Sequence, residues 1–500
     1  MVRGRKPERK DHERDLANAR TYAEWMAAAT ELDRSEGKDD WRDDDRSPHY
    51  DFELLDNRLA ELRTLRDRGN VQELVFWLQE GLHGNFANLS NPALYGYARS
   101  GTKKLIASYV FEVARVLNYL CETELQGITI DERFRFFKRT GKVFGRSALM
   151  LSGGGALGIF HLGVIKALWL AGLLPRVISG SSVGSIVAGV AGTHNDDELP
   201  SFFDPAHLNT AAWQSLGILE GLKKRALMSP QKLEACLDDN IGAMSFVEAF
   251  QHTGRIIDVT VSPVTEHQQP RLLNYLTAPN VLVTSAAEAS CAVPGLFPPV
   301  ALKAKSFTRE IVPYLPTMRW QDGTLKSDLP MLRLSRLHNV NHYIVSQTNP
   351  YVLPFIRRRR AGKGFLPMAR GLVTSSLAVN SKHLLDVTRA HLNNGGLARV
   401  LDEVYGIVDQ RYRGDITIAP KIELAKIRRM FSELSRDQVA ELILDGERAT
   451  WPHIEQIRIT TAISQTFDQC IQRLKISQNQ HPAGPVMVSV PWERRARPRP

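Results

Sequence analysis

The fold is decided by residues 148–191, which read ALMLSGGGALGIFHLGVIKALWLAGLLPRVISGSSVGSIVAGVA. A short apolar run, 148–151, leads through a glycine loop into an apolar stretch, 159–173, that is long enough for a helix. A second short run, 176–179, then leads through a sharp turn into another apolar stretch, 185–191. This order of strand, loop, helix, strand, turn and helix is typical of a parallel sheet covered by helices. We therefore predict an α/β fold.

Apolar patterns outside this stretch predict the remaining elements. Further strands are predicted at 256–261, 281–284 and 342–346, and helices at 16–32, 54–65, 71–82, 103–124, 424–444 and 454–474. Composition then divides the chain of 500 residues into five parts. These are a charged segment (1–50), an all-helical module (51–145), the α/β domain (147–350), a mainly helical region (351–480) and a Pro- and Arg-rich tail (481–500) that is expected to be disordered.

Charge and cysteine usage limit the possible partners. The formal net charge of +10 favours an anionic partner, either nucleic acid or an acidic membrane surface. We find neither zinc-finger spacing nor an aromatic RNA-binding run, so no nucleic-acid partner is expected. The four cysteines lie far apart without a C-x-x-C pair, which argues against the usual zinc and redox motifs and fits a reducing compartment. No metal is expected.

Membrane insertion is not expected either. No uninterrupted apolar run reaches the roughly 18 residues that a spanning helix needs. The basic N-terminus is not followed by the apolar segment of a secretory signal. We therefore expect a cytoplasmic protein that meets any lipid from the surface.

The turn after the second strand matches the pattern G-x-S-x-G with Gly180, Ser182 and Gly184. In a nucleophile elbow the backbone turns so tightly that side chains two residues either side of the serine would collide, which explains both glycines. The serine hydroxyl then stands at a helix N-terminus, whose partial positive charge favours a developing oxyanion. Ser182 is therefore a candidate nucleophile, although an ordinary Gly/Ser turn would give the same five letters.

The glycine loop after the first strand permits two interpretations. Its backbone N–H groups can form an oxyanion hole, since Gly153, Gly154, Gly155, Ala156 and Gly158 offer little side-chain obstruction. Gly153, Gly155 and Gly158 also match the dinucleotide fingerprint G-x-G-x-x-G. That fingerprint needs an acidic residue roughly 20 positions further on. Residues 159–195 contain no Asp or Glu, which favours the oxyanion hole.

A serine nucleophile needs a base, and Asp322 followed by Gly323 is the leading candidate. A carboxylate in a partly desolvated pocket has a raised pKa and becomes a better base. Asp328 is the reserve candidate. Taken alone, an Asp-Gly pair is also common in plain turns.

Together, the glycine loop, the serine turn and Asp322-Gly323 resemble the patatin-like phospholipase family. Within it, the chain is most similar to the intracellular triacylglycerol lipases of yeast and plant seeds and their bacterial relatives. The similarity extends to 175–182, 285–297 and 339–347, and to the helical module, which resembles the N-terminal domain of those lipases. It spans roughly residues 20–420.

The resemblance implies a patatin-like three-layer fold and a serine–aspartate dyad of Ser182 and Asp322. It implies an oxyanion hole from the amides of Gly154, Gly155 and Ala156. It also implies hydrolysis of lipid esters, triacylglycerol or glycerophospholipid, at a membrane or lipid-droplet surface without metal or cofactor. No histidine is followed five positions later by Asp, so the acyltransferase motif of some relatives is missing.

A basic loop offers a possible contact with anionic headgroups, each cation contributing about 1 kcal/mol near an acidic surface. Its cations are Arg357, Arg358, Arg359, Arg360 and Lys363. A solvated loop is the alternative interpretation.

Two rival functions stay open at this point. One is an α/β-hydrolase with a Ser-Asp-His triad, for which the sequence offers His338, His342, His383 and His391 after the acid. The other is a catalytically idle lipid-binding scaffold that uses the helical regions.

Overall fold

The computed structural model describes residues 5–122, 125, 127–210, 229–265, 268–294, 296–323, 328–350, 352–353, 414–421 and 432–480. They form two compact units. The first unit is drawn from Met1–Asp45, Asn91–Lys104 and Gly145–Thr461, and the second from Arg46–Ser90, Leu105–Phe144 and Ala462–Pro500.

The strands all belong to the first unit. They are β1 (Arg146–Leu151), β2 (Val177–Gly180), β3 (Ile256–Pro263), β4 (Arg271–Leu273), β5 (Lys303–Lys305), β6 (Ile311–Pro313), β7 (Trp320–Asp322), β8 (Val340–Ser346) and β9 (Ile416–Ile418). The main sheet has the order β4-β3-β2-β1-β8-β9, and β7 also pairs with β3. Pairing is parallel from β3 to β9 and antiparallel for β4 and β7. The prediction of an α/β fold with a mainly parallel sheet is confirmed.

The helices occur in both units. In chain order they are α1 (Arg5–Asn18), α2 (Tyr22–Ser35), α3 (Lys38–Asp43), α4 (Phe52–Arg68), α5 (Val71–Gly81), α6 (Lys104–Cys121), α7 (Ile130–Phe144), α8 (Phe160–Leu170), α9 (Val183–Thr193), α10 (Pro230–Ile241), α11 (Phe246–Thr253), α12 (Val283–Cys291), α13 (Met331–His338), α14 (Arg436–Thr450) and α15 (Ile454–Gln480). Across the described part of the chain, none of them combines the length and apolar character needed to span a bilayer.

The sheet of the first unit separates two apolar cores. Successive strand residues point to opposite faces, so Leu149 and Leu151 enter one core while Ala148 and Met150 enter the other. The larger core is completed by helices α8, α9, α10 and α12, and the smaller one by α13. This arrangement of helices, sheet and helices is the three-layer fold that the resemblance implied.

The second unit is helical. Four leucines at helical spacing line the buried face of α4: Leu55, Leu59, Leu62 and Leu65. At the other end of the chain, Phe467 of α15 packs edge-on against Phe137 of α7, with ring centroids 5.9 Å apart. The expected helices at 54–65, 71–82 and 103–124 correspond to α4, α5 and α6. The boundaries 51–145 of an independent helical module remain a prediction.

Two expectations about local structure are wrong. The run 281–284 is not a strand, because α12 begins at Val283. A buried run of three apolar residues and a threonine has no period that separates a strand from a helix, and the alanine-rich sequence that follows favours the helix. The helix expected at 16–32 is interrupted, since α1 ends at Asn18 and the Thr21 hydroxyl caps α2 by accepting the N–H of Glu24.

Strand β9 was not expected from the sequence. It lies within the stretch 351–480, which was expected to be mainly helical, and it extends the sheet by pairing with β8. Three residues, Ile416–Ile418, are too few to show a period of two. The tail 481–500 lies outside the described residues.

Candidate active site

The turn between β2 and α9 has the geometry of a nucleophile elbow. Ser182 lies between the two elements with φ 51° and ψ −128°, a left-handed conformation that costs a non-glycine residue roughly 1–3 kcal/mol. A Cβ atom on Gly180 would collide with the carbonyl oxygen of Gly184, and one on Gly184 would collide with that of Leu151. The expected strand–turn–helix is therefore present, and both glycines are required by close backbone approach.

A chain of hydrogen bonds anchors the elbow to neighbouring elements. The N–H of Ser182 donates to Ser290 Oγ at 2.9 Å, and Ser290 Oγ donates to the carbonyl oxygen of Thr260 at 2.8 Å. On the other side of the turn, Ser181 Oγ donates to the main-chain carbonyl of Asp328 at 3.0 Å. Ser182 itself is 6% exposed. These bonds tie the strained residue to α12 and β3.

The glycine loop runs from the end of β1 into a short 3₁₀ helix, Gly155–Ile159. The N–H of Gly153 donates to Asp328 Oδ1 at 3.0 Å, so this amide is already used within the protein. A Cβ on Gly158 would collide with the side chain of Val183, which makes Gly158 a packing position next to the elbow. The amides at the start of the 3₁₀ helix follow directly after Gly154.

A buried histidine, which the sequence analysis did not single out, fixes the base of this loop. His161 Nε2 lies 2.9 Å from the carbonyl oxygen of Ser152, and Nδ1 lies 2.6 Å from Ser346 Oγ. A carbonyl only accepts, so Nε2 carries the proton and Nδ1 accepts from the Ser346 hydroxyl. Burial lowers the pKa of His161 to about 4, partly opposed by the bond to Ser152. The ring is therefore neutral and joins the ends of β1 and β8.

Asp322 ends β7 and is 2% exposed. It lies opposite Val261 of β3, and its N–H donates to the carbonyl oxygen of Ala292 at 3.0 Å. A Cβ on the next residue, Gly323, would lie 2.5 Å from the carbonyl oxygen of Thr260. The backbone at Thr260 thus contacts the acid loop and, through Ser290, also supports the elbow.

Both predicted catalytic residues influence the pKa of the buried Cys291 thiol. Burial, reinforced by the negative charge of Asp322, raises the pKa of Cys291 well above its ordinary value. Hydrogen bonds of the thiol with the hydroxyls of Ser185 and Ser182 act in the opposite direction. Strand pairing supports the same placement, because β3 pairs both with β2, which precedes Ser182, and with β7, which ends at Asp322.

Asp328, the reserve base, is buried and contacts the glycine loop. Burial raises its pKa to about 7; the Gly153 hydrogen bond opposes this, and the charge of Asp322 adds to it. Its carboxyl group accepts the Gly153 N–H, and its main-chain carbonyl accepts the Ser181 hydroxyl. Asp328 therefore links the glycine loop to the elbow.

The histidines proposed for a triad have other hydrogen-bond partners. His338 Nε2 lies 3.0 Å from Asp258 Oδ1, and His342 Nδ1 lies 3.0 Å from Ser147 Oγ. Ser147 pairs with His342 near the start of β1, so that bond lies at the N-terminal end of the parallel strands, whereas the elbow follows the C-terminal end of β2. His383 and His391 lie outside the described residues. The hydrogen bonds found among the described residues give a triad no support.

The five cations of the proposed basic loop, Arg357, Arg358, Arg359, Arg360 and Lys363, also lie outside the described residues.

Comparison with known proteins agrees with this geometry. Residues 149–334 match the family model described as patatin-like phospholipase, and residues 2–142 match a domain of unknown function, DUF3336. A triacylglycerol lipase of Schizosaccharomyces pombe is 34% identical over 91% of this chain and 97% of its own length. The chain belongs to the patatin-like phospholipase family.

Two other members of the family are longer than this chain. A triacylglycerol lipase of Arabidopsis thaliana is 35% identical over 95% of this chain, which spans 60% of the plant protein. Triacylglycerol lipase 4 of Saccharomyces cerevisiae is 32% identical over 92% of this chain, which spans 52% of the yeast protein.

Several residues around the patatin-like site escaped the sequence analysis. Ser290 and Cys291 were noted only as part of the family resemblance, and nothing in their local pattern indicates a contact with Ser182. His161 lies inside the apolar stretch 159–173 that predicted a helix, and that pattern gives it no role. In the structure His161 is fully buried and contacts Ser152 and Ser346. These contacts depend on the pairing of β1 with β8, which the local sequence does not show.

Proposed function

We propose that this chain is a serine acyl hydrolase that cleaves carboxylic esters of lipids through a dyad of Ser182 and Asp322. The observation that carries the proposal is the shared support of the two residues at Thr260. Its carbonyl oxygen accepts the Ser290 hydroxyl that holds the Ser182 N–H, and it lies against Gly323, next to Asp322. The strained elbow and family membership support the same assignment.

The chemistry follows from these positions. Asp322 accepts the proton of the Ser182 hydroxyl while Ser182 Oγ attacks the ester carbonyl carbon. The developing oxyanion accepts hydrogen bonds from the amides of Gly154, Gly155 and Ala156, at the start of the 3₁₀ helix. The bond to the alcohol then breaks, and the alcohol leaves with the proton from Asp322.

Deacylation repeats these steps with water. Asp322 takes a proton from a water molecule, whose oxygen attacks the acyl-enzyme and releases the fatty acid. The proton returns to Ser182 Oγ. These steps use only groups of the chain itself and water.

The names of the relatives suggest the substrate. Three of them are called triacylglycerol lipases, so we propose triacylglycerol as the first substrate to assay and glycerophospholipid as the second. We also propose that the chain works in the cytoplasm, from the surface of a membrane or lipid droplet. Fractionation of cells that express a tagged chain tests this location.

The test of the dyad is a lipid panel assayed with four variants. Ser182→Ala should abolish ester cleavage and labelling by a fluorophosphonate. Asp322→Asn should lower kcat by about 10²-fold or more, because general-base catalysis contributes that much. Asp328→Asn tests whether Asp328 rather than Asp322 is the base. Ser201→Ala, at an exposed serine, is the matched control.

Two results would contradict the proposal. If Asp328→Asn removed activity while Asp322→Asn retained it, the base would be wrongly assigned. If the folded wild type neither cleaved any lipid ester nor reacted with the fluorophosphonate at Ser182, the scaffold function would be favoured instead.

A further inference from the structure

The segment between α12 and β7 contains a β-hairpin formed by β5 and β6. Lys305 pairs with Ile311 beside the tip, and the turn is closed by the N–H of Ser306, which donates to the carbonyl oxygen of Glu310 at 2.8 Å. The N–H of Arg309 donates back to Ser306 at 3.0 Å. The tip is therefore a defined structure.

The hairpin exposes apolar side chains. Phe307 at the tip is 106% exposed, and Ile311 in β6 is 59% exposed. All three residues of β6, Ile311–Pro313, are exposed, although neighbouring side chains on a strand point to opposite faces. A strand of apolar residues with both faces in water is costly, whereas single exposed apolar residues are ordinary. We name Phe307, Ile311, Val312 and Leu315 the hairpin patch.

The base of the hairpin is attached to the strand that carries Asp322. Val300 and Trp320 exchange two backbone hydrogen bonds, of 2.9 and 2.8 Å, just before β5 and at the start of β7. Ala304 is buried and forms a bridge with Val281, next to α12. The hairpin that carries the patch is thus hydrogen-bonded to the elements that position the candidate active site.

The charges around the patch are balanced. Lys305 at the base forms an ion pair with Glu248 at 2.6 Å. At the tip, Arg309 is followed directly by Glu310, which is also exposed. The apolar side chains are therefore the feature of the tip that suits a lipid–water interface, where binding strength grows with the apolar area buried.

We propose that the hairpin inserts Phe307 and Ile311 into a lipid–water interface and holds the active site at that surface. The proposal rests on the proposed function, because a lipid hydrolase must draw its substrate from an aggregate. It differs from the basic loop at 357–363, since it depends mainly on apolar contact and uses a different segment.

Binding is measured by co-sedimentation with vesicles of phosphatidylcholine and phosphatidylglycerol, in a Ser182→Ala background so that no lipid is consumed. Burying one large apolar side chain contributes enough free energy for roughly a tenfold change in affinity. Phe307→Ser with Ile311→Ser should therefore weaken binding by at least about tenfold. Phe76→Ser, at a phenylalanine of α5 that is 64% exposed, is the matched control and should bind as before.

A second readout does not depend on a loss of binding. All four cysteines are buried, so a polarity-sensitive thiol dye can be directed to Phe307→Cys. Its emission should shift to shorter wavelength when vesicles are added. The same dye on Phe76→Cys should not shift.

Activity separates this proposal from the proposed function. With Ser182 intact, the hairpin variant should hydrolyse a short soluble ester at the wild-type rate and emulsified lipid more slowly. A soluble-ester rate that does not depend on Ser182 would refute the proposed function but leave the binding results valid. Unchanged vesicle binding and no dye shift would overturn the hairpin proposal. A wild-type dimer that the two serine substitutions dissociate would also overturn it, because the patch would then bind a second copy.

Discussion

Removing the hydroxyl of Ser290 tests how the elbow is held. In the variant Ser290→Ala the N–H of Ser182 loses its acceptor, and the carbonyl of Thr260 loses its donor. Ser290 is fully buried, so little water is available to replace either bond. The variant removes one oxygen atom and leaves the rest of α12 unchanged.

The expected magnitude follows from burial and strain. A buried donor left without a partner costs about 1–3 kcal/mol, so the free energy of unfolding should fall by that amount. The conformation of Ser182 stores a similar strain, and the lost bond is one of the contacts that oppose its relaxation. A displacement of the nucleophile by about 1 Å can cost 10²-fold in rate, so we expect kcat to fall by roughly 10- to 100-fold.

The assay combines denaturant unfolding with the rate of fluorophosphonate labelling, which reports on the nucleophile itself. The matched control is Ser285→Ala on the same helix. Ser285 is 3% exposed, and its Oγ accepts the N–H of Lys303 at 2.9 Å. That variant should lose comparable stability yet label at the wild-type rate.

The comparison of the two variants decides the question. If Ser290→Ala labels as fast as Ser285→Ala while losing the same stability, then the bond to Ser290 does not hold the elbow. The strain would then be supported by α9 and the glycines alone.

Four further outcomes are expected. In the folded state the pKa of Asp328 is about 7 instead of 3.8. Between pH 4 and 7 the folded chain therefore keeps this proton while the unfolded chain has lost it. Wild-type stability relative to Asp328→Asn should therefore fall as pH rises, by on the order of 4 kcal/mol in urea unfolding at pH 8 against pH 4. His161 has a lowered pKa of about 4, so its contribution is present above pH 6.5 and lost as pH falls toward 4; His161→Gln should flatten that part of the stability profile. Gly158→Ala should lower stability and labelling through its collision with Val183, and adding Val183→Ala should restore both only in part, because the Val183 Cβ itself would lie 2.8 Å from the new methyl group. Phe467→Ala should cost the second unit about 3–5 kcal/mol in the same unfolding assay, and a loss below about 1 kcal/mol would contradict its place in that core.

Local pattern predicted the centre of the fold well. Strands β1 and β2 and helices α8 and α9 lie within a few residues of their expected positions, because each is a strongly apolar run bounded by glycine or proline. The requirement for Gly180 was also predictable, since its cause, the close approach of Gly184, lies within five residues of sequence. Gly184 is required by Leu151 of β1, a contact that the turn itself does not reveal.

Prediction failed where a short buried run has no period of its own. The segment 281–284 is buried and apolar except for Thr284, and only its packing against α9 and α10 makes the part from Val283 onward a helix. The base was harder still. Asp322 was preferred to Asp328 because a glycine follows it, but that pattern is also common in plain turns, and the family resemblance strengthened the choice.

The sequence by itself determined the chemistry on offer: a serine in a glycine turn, a glycine loop with no acidic residue behind it, and two aspartates close together. Only the tertiary structure decided which of these meet. Strand β3 brings them together, because it pairs with β2, which precedes Ser182, and with β7, which ends at Asp322, although the two residues are 140 positions apart in the chain. Strand register is set by packing and backbone pairing across the whole sheet, so no local pattern can reveal it. For the same reason, the support of Ser182 by Ser290 and the exposure of Phe307 became visible only in the folded chain.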